Sequence, residues 1–147
     1  MKIEKYSIKT DNDSTIFQFT SIGPKGSIEK LIQFQKIYDG VYNLAFGDKN
    51  QDTGNLDDQV ISDNGDSEKV LATVVSALYK FFDAYPDSVV YAVGSSTSRT
   101  RLYRMGISKF FREVTEDFHV YGEIGDEFCD FELNKEYTSF LVRRRFS

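Results

Sequence analysis

Alternation of apolar and polar positions dominates the first third of the chain. In STIFQFTSI, Phe17 and Phe19 fall on one face and Ile16 and Gln18 on the other. That period of two is what a half-buried strand requires, and it predicts a strand over roughly residues 14–22. GPKG, Gly23 to Gly26, then turns the chain. Two further strand runs follow in SIEKLIQFQKIYDGVYNLAFGD, with Ile28, Ile32 and Phe34 before Asp39-Gly40 and Tyr42, Leu44 and Phe46 after it. Asp-Gly tolerates positive φ and suits a tight hairpin. The opening KIEKYSIKT adds a strand, making a meander of four.

From Asp48 to Asp66 the sequence is acidic, poor in apolar residues and interrupted only by QVIS, the composition of a long loop. The period then changes. Val70, Leu71, Val74, Leu78, Phe81 and Tyr85 recur at one, three and four, with Asp66 or Ser67 placed to cap the start and Pro86 beyond the end. This predicts a helix over about 67–85. SVVYAV reads as a short buried strand. Ser98 to Val114 reads as helix, its inner face carrying Leu102 and Met105 and continuing through Ile107, Phe110, Phe111 and Val114, with Gly106 as the place where it divides. HVYGEI and TSFLVRRRF add two strands. The order ββββαβαββ gives an α+β fold, a single domain over 1–147, with two to three helices packed on one side of a mainly antiparallel sheet of about six to seven strands.

Composition supports a folded domain. The chain has 147 residues, of which 40% are hydrophobic and 15% aromatic, enough to bury a core without disulfides or metal. Its net charge of −5 repels nucleic acid and anionic membranes at long range, so only a local basic patch works against that field. Cys129 is the single cysteine, and no apolar run approaches the twenty residues of a membrane span. The expected compartment is the cytoplasm.

The richest chemistry lies in VVYAVGSSTSRTRLYRMG, Val89 to Gly106. A strand ends at Gly94, the small residues Ser95, Ser96, Thr97 and Ser98 follow, and Arg99, Arg101 and Arg104 lie on the helix beyond. Strand, small-residue turn and helix start bring backbone N–H groups and the helix dipole to one point, which favours an anion. Arginine guanidinium groups add donors matched to phosphate or carboxylate. The alternative is a helix capped by Ser96 or Ser98 with a solvated basic face. Arg143, Arg144 and Arg145 form a second basic cluster, which reads as strand-end protection or as an extension of the first patch.

Other chemistries lose their required residues. A covalent phosphatase loop needs a thiolate inside the loop, and Cys129 is far off. A Walker loop needs spaced glycines and a terminal Lys. Asp48, Asn50 and Asp52 resemble the start of a calcium loop, yet Thr53 and Gln59 stand where Gly and Glu belong. His119, the only histidine, with Cys129 supplies two soft ligands, too few for zinc. No metal site and no catalytic triad is assigned, and His119 reads as a half-buried residue beside a strand.

Two resemblances add to this reading. GPKG, VYNLAFGD, NGDSEKVLATV, GSSTSRTRLYRMGI and FLVRR together resemble an uncharacterised family of short bacterial proteins, a domain of unknown function, over nearly the whole chain. Residues 63–107, ending RLYRMGI, resemble the latter half of GNAT-type N-acetyltransferases. That resemblance implies acetyl-CoA as cofactor, Asn64, Gly65 and Asp66 at its pyrophosphate, and Tyr103 as the acid that protonates the leaving thiolate, with Gly106 and Ile107 on the motif's Gly and Phe. Only one glycine occupies the loop, Asp66 brings negative charge to it, and Ser96 replaces the usual Asn.

The expectation is therefore a non-catalytic binding module that takes an unidentified protein or a small anionic ligand, with no cofactor. An acyl-CoA-dependent transferase is the alternative. The net charge argues against nucleic acid and the hydropathy against a membrane, while a homo-oligomer stays open.

Overall fold

The alternating runs pair side by side, and the helical run that follows them covers apolar residues of the strands. The computed structural model describes residues 4–57, 62–93 and 97–145, with side chains from Thr100 onward in the last stretch. In chain order the elements are β1 (Lys9–Thr10), β2 (Ile16–Gly23), β3 (Gly26–Tyr38), β4 (Val41–Asp48), α1 (Ser67–Ala84), β5 (Val89–Ala92), α2 (Thr97–Lys109), α3 (Phe111–Asp117), β6 (Phe118–Ile124), β7 (Glu127–Asp130) and β8 (Ser139–Arg144). The strands form one eight-stranded sheet in the order β1-β2-β3-β4-β5-β8-β6-β7. Its pairing is antiparallel at β1 to β2, β2 to β3, β5 to β8, β8 to β6 and β6 to β7, and parallel at β4 to β5. The fold is α+β, as the patterning requires. None of the described helices is long and apolar enough to cross a membrane.

Contacts group the chain into two units, Met1–Phe34 with Phe46–Ala84, and Gln35–Ala45 with Tyr85–Ser147. In the first, Phe17, Phe19, Ile32, Phe34 and Phe46 turn inward and α1 contributes Val70, Val74, Phe81 and Phe82, all buried. Phe34 and Phe81 stack at 4.3 Å between ring centres. The alternation that carries Ile28, Ile32 and Phe34 carries Lys30 inward as well, and that lysine is 1% exposed. Its ammonium donates to Asp48 at 2.6 Å and to the Ser62 carbonyl at 2.9 Å. Asp48 also accepts from the Ser62 hydroxyl, so its carboxylate serves an internal ion pair.

In the second unit, β8 lies between β5 and β6. Phe140 and Val142 of β8, Val90 and Ala92 of β5, and Phe118 and Val120 of β6 are buried, along with Tyr103 of α2, Val114 of α3 and Phe110 between the two helices. The opposite face carries Val89, Tyr91, Leu141, Arg143, His119 and Tyr121, half-buried or exposed.

Three details differ from expectation. β7 is an eighth strand whose residues EFCD are all exposed, so it carries no alternation to read. The helical run divides at Phe110, between α2 and α3, with Gly106 inside α2. One glycine costs a helix only about 1 kcal/mol, too little to end it when the apolar stripe continues past it. That stripe is Tyr103, Ile107, Phe110 and Val114 at steps of four, three and four, so Met105 is 46% exposed instead of facing the core with Leu102, which is half-buried.

Candidate anion-binding site

Strand pairing assembles the basic residues of the second unit. Arg143 of β8 stands in register with Val89 of β5 on one side and His119 of β6 on the other. The Arg143 guanidinium lies over the Tyr121 ring, 5.9 Å from its centre, a distance at which the ring quadrupole attracts a cation. The ladder extends one residue further, where the Arg145 N–H donates to the Asp117 carbonyl at 2.9 Å. Arg145 Nε donates to the carbonyls of Thr115 at 2.8 Å and Phe118 at 3.1 Å, which pins the side chain.

The turn before β5 closes the other side. The Ser88 N–H donates to the Tyr85 carbonyl and the Val89 N–H to the Gly40 carbonyl. Between this turn and the strand ends lies a cavity of about 450 Å³, lined by Pro86, Asp87, Ser88, Val89, His119, Arg143, Arg144 and Arg145. The lining thus holds three arginines and one carboxylate residue, Asp87, on a protein of net charge −5. Alternation sends Arg144 to the other face from its neighbours, yet all three residues line the cavity at the end of β8.

His119 is held on both ring nitrogens. Nε2 is 2.8 Å from Asp130 Oδ1, and Nδ1 is 3.2 Å from the Tyr121 hydroxyl. Its ring stacks on Tyr121 at 4.1 Å with an interplanar angle of 14°. The half-buried position matches the sequence reading. Its partner Asp130 lies on β7, the strand without a readable pattern, so this cluster escaped the sequence. The one signal available was the i, i+2 spacing of His119 and Tyr121 in HVYGEI, which puts both on one face.

The stretch singled out in the sequence is placed in part. Gly94, Ser95 and Ser96, with the side chains of Thr97, Ser98 and Arg99, lie outside the described residues. Arg101 is exposed and Arg104 half-buried, and with Thr100, Glu136 and Tyr137 they line a recess of about 110 Å³. This recess shares no residue with the larger cavity, so Arg101 and Arg104 do not join Arg143 to Arg145 in one pocket. Tyr103 is 7% exposed and its hydroxyl donates to the Leu44 carbonyl at 3.4 Å.

The residues that the transferase resemblance puts at a pyrophosphate are engaged inside the first unit. Asn64 is 2% exposed, donates to the Gly26 carbonyl and accepts from the Lys25 N–H. Asp66 accepts from the hydroxyls of Tyr6 and Ser21. Among the described residues no group of three or more His, Cys, Asp or Glu is arranged to hold a metal.

Comparison with known proteins adds a family and no activity. No curated protein and no solved structure matches the chain significantly. The model of DUF6934, a family of unknown function, matches residues 2–145, and the chain belongs to that family.

Proposed function

We propose that the chain is a non-catalytic binding module for an anionic group, either a small oxyanion or a phosphorylated or carboxylated part of a partner, held at the cavity of Arg143, Arg144 and Arg145. The supporting observation is that three arginines and a histidine line one concavity of an acidic protein. Arginine forks match the paired oxygens of phosphate and carboxylate, and about 450 Å³ is the size of a small-molecule site. Arg143, Arg144 and His119 lie on regular strands, which hold them in place without the ordering cost of a loop. Titration of the protein with sulfate and with phosphate at constant ionic strength, comparing wild type with Arg143→Ala, tests this reading. Saturable binding that the substitution weakens at least tenfold supports it, and equal binding by both proteins refutes it.

The Gly94 to Arg104 turn and helix is the second reading. It is favoured by the order of β5 and then a thirteen-residue α2, with Arg101 and Arg104 on one recess. Glu136 in that recess opposes an anion, which is why it ranks second. Loss of sulfate binding in Arg101→Ala/Arg104→Ala, with Arg143→Ala unaffected, would move the site there.

A further inference from the structure

We propose that Asn64–Gly65 is a deamidation site gated by folding. The loop before α1 protects the Asn64 amide while it is docked, and conversion of that amide to a carboxylate on undocking keeps the loop from docking again. Asn64 is the one asparagine of the chain that glycine follows. A glycine has no side chain to hinder its own backbone nitrogen, so that nitrogen reaches the preceding Cγ with the least obstruction. The Gly65 nitrogen gives its proton to water or hydroxide and forms a bond to Asn64 Cγ, ammonia leaves, and a succinimide closes. Water then adds across one C–N bond of the ring. The product is aspartate in place of Asn64, or the isomer in which the main chain runs through the side chain. Nothing is oxidised or reduced, and water is the only co-reactant.

The docked loop withholds both reacting atoms. The Asn64 amide nitrogen donates to the Gly26 carbonyl at 2.9 Å and to the Ser21 hydroxyl at 3.2 Å, and its oxygen accepts from the Lys25 N–H at 2.7 Å. The carboxamide is therefore fixed on the β2 to β3 turn. The Gly65 N–H, the group that must attack, donates to Asp63 Oδ1 at 3.0 Å. Asn64 is 2% exposed, and its backbone carbonyl rests on Gly23, so the residue turns toward Gly65 only if the loop lifts. Local opening of this kind is part of the native ensemble of any folded chain.

The product does not fit the seat that the amide leaves. A carboxylate only accepts. One of its oxygens keeps the Lys25 N–H, but the other stands at the Gly26 carbonyl, where the amide had donated. The Ser21 hydroxyl gives no help, because it donates to Asp66 at 2.6 Å. A buried charge facing a carbonyl is left without a donor, which is strongly unfavourable. The isomer adds an atom to the main chain where two backbones already touch. Each undocking thus risks a one-way change, and the deamidated fraction records how often the loop has opened.

Peptide mass analysis of wild type, held at mildly alkaline pH in native buffer and in urea, measures the gate. Deamidation at Asn64 is expected to be slower in the native protein by about a hundredfold or more, since it waits for opening. Gly23→Ala props the loop away from the turn and is expected to raise the native rate while leaving the rate in urea unchanged. Asn64→Asp makes the product directly, and its folding equilibrium constant is expected to fall by about a hundredfold or more, the scale for an uncompensated buried charge. A variant too unstable to fold agrees with this, and the wild-type rates still decide the gate. Equal rates in native buffer and in urea, or a folded Gly23→Ala protein that deamidates no faster than wild type, overturn the gate. An Asn64→Asp protein as stable as wild type overturns the one-way step. None of these outcomes bears on the arginine cavity, which is tested separately.

Discussion

The backbone carbonyl of Asn64 lies directly over Gly23, where an added Cβ would sit 1.9 Å from its oxygen. The loop before α1 is thus seated on the β2 to β3 turn, and the Asn64 side chain completes the seat with bonds to Lys25 and Gly26. Gly23→Ala forces two backbones apart and is expected to cost about 1–3 kcal/mol, the range for overpacking. Urea unfolding measures it; a midpoint equal to wild type would show that the loop does not rest on this turn.

Lys30 and Asp48 form a buried ion pair with side-chain exposures of 1% and 12%. Removing one partner strands the other, so Lys30→Met is expected to lose about 3–5 kcal/mol. Replacing both, as Lys30→Met/Asp48→Leu, is expected to recover part of that loss. A double variant that is as unstable as the two single losses summed would contradict the pairing.

Tyr6 ties residues near the start of the chain to α1, with its N–H on Thr73 Oγ1 and its hydroxyl on Asp66. Burial, and then the bond to the Asp66 carboxylate, raise its ionisation above that of a free tyrosine. A raised value stabilises the fold fully below pH about 10 and is lost as pH rises through the folded value. Tyr6→Phe is therefore expected to be less stable at neutral pH by about 1 kcal/mol and to lose less stability above pH 10 than wild type does. Chemical denaturation at pH 7 and pH 10.5 separates the outcomes, and parallel losses in both proteins would count against the assignment.

Gly122 lies under the Tyr137 ring, where a Cβ would come within 2.3 Å of a ring carbon. Tyr137 packs with Phe131 and Phe140, and its hydroxyl accepts from the Glu132 N–H. Gly122→Ala displaces this cluster and is expected to cost about 1–3 kcal/mol, with an altered near-ultraviolet tyrosine signal. An unchanged signal and stability would mean that the ring is free to move aside.

The strands β2 to β5, β6 and β8 and the helix α1 were legible in the sequence because each buries one face, which leaves a period of two or of 3.6 in the residues. β7 was not, since Glu127, Phe128, Cys129 and Asp130 are all exposed and no face is distinguished. Lys30 was legible in principle. It occupies an inward position of a clear alternation, and a lysine there demands a buried partner. The arginines of β8 were visible as a cluster, but their meeting with His119 and the Pro86 to Val89 turn depends on strand order, which periodicity does not encode. The placement of Met105 failed because adjacent stripes on an amphipathic helix differ by a fraction of a turn, and Tyr103, the larger apolar body, took the inward direction.

Isothermal titration of sulfate into wild type and Arg143→Ala, at constant ionic strength and pH 6, tests the central claim most directly. The account expects saturable one-site binding by wild type and at least a tenfold loss in the variant, with the thermal unfolding of the two free proteins alike. Binding of equal strength in both, or none in wild type, would contradict it.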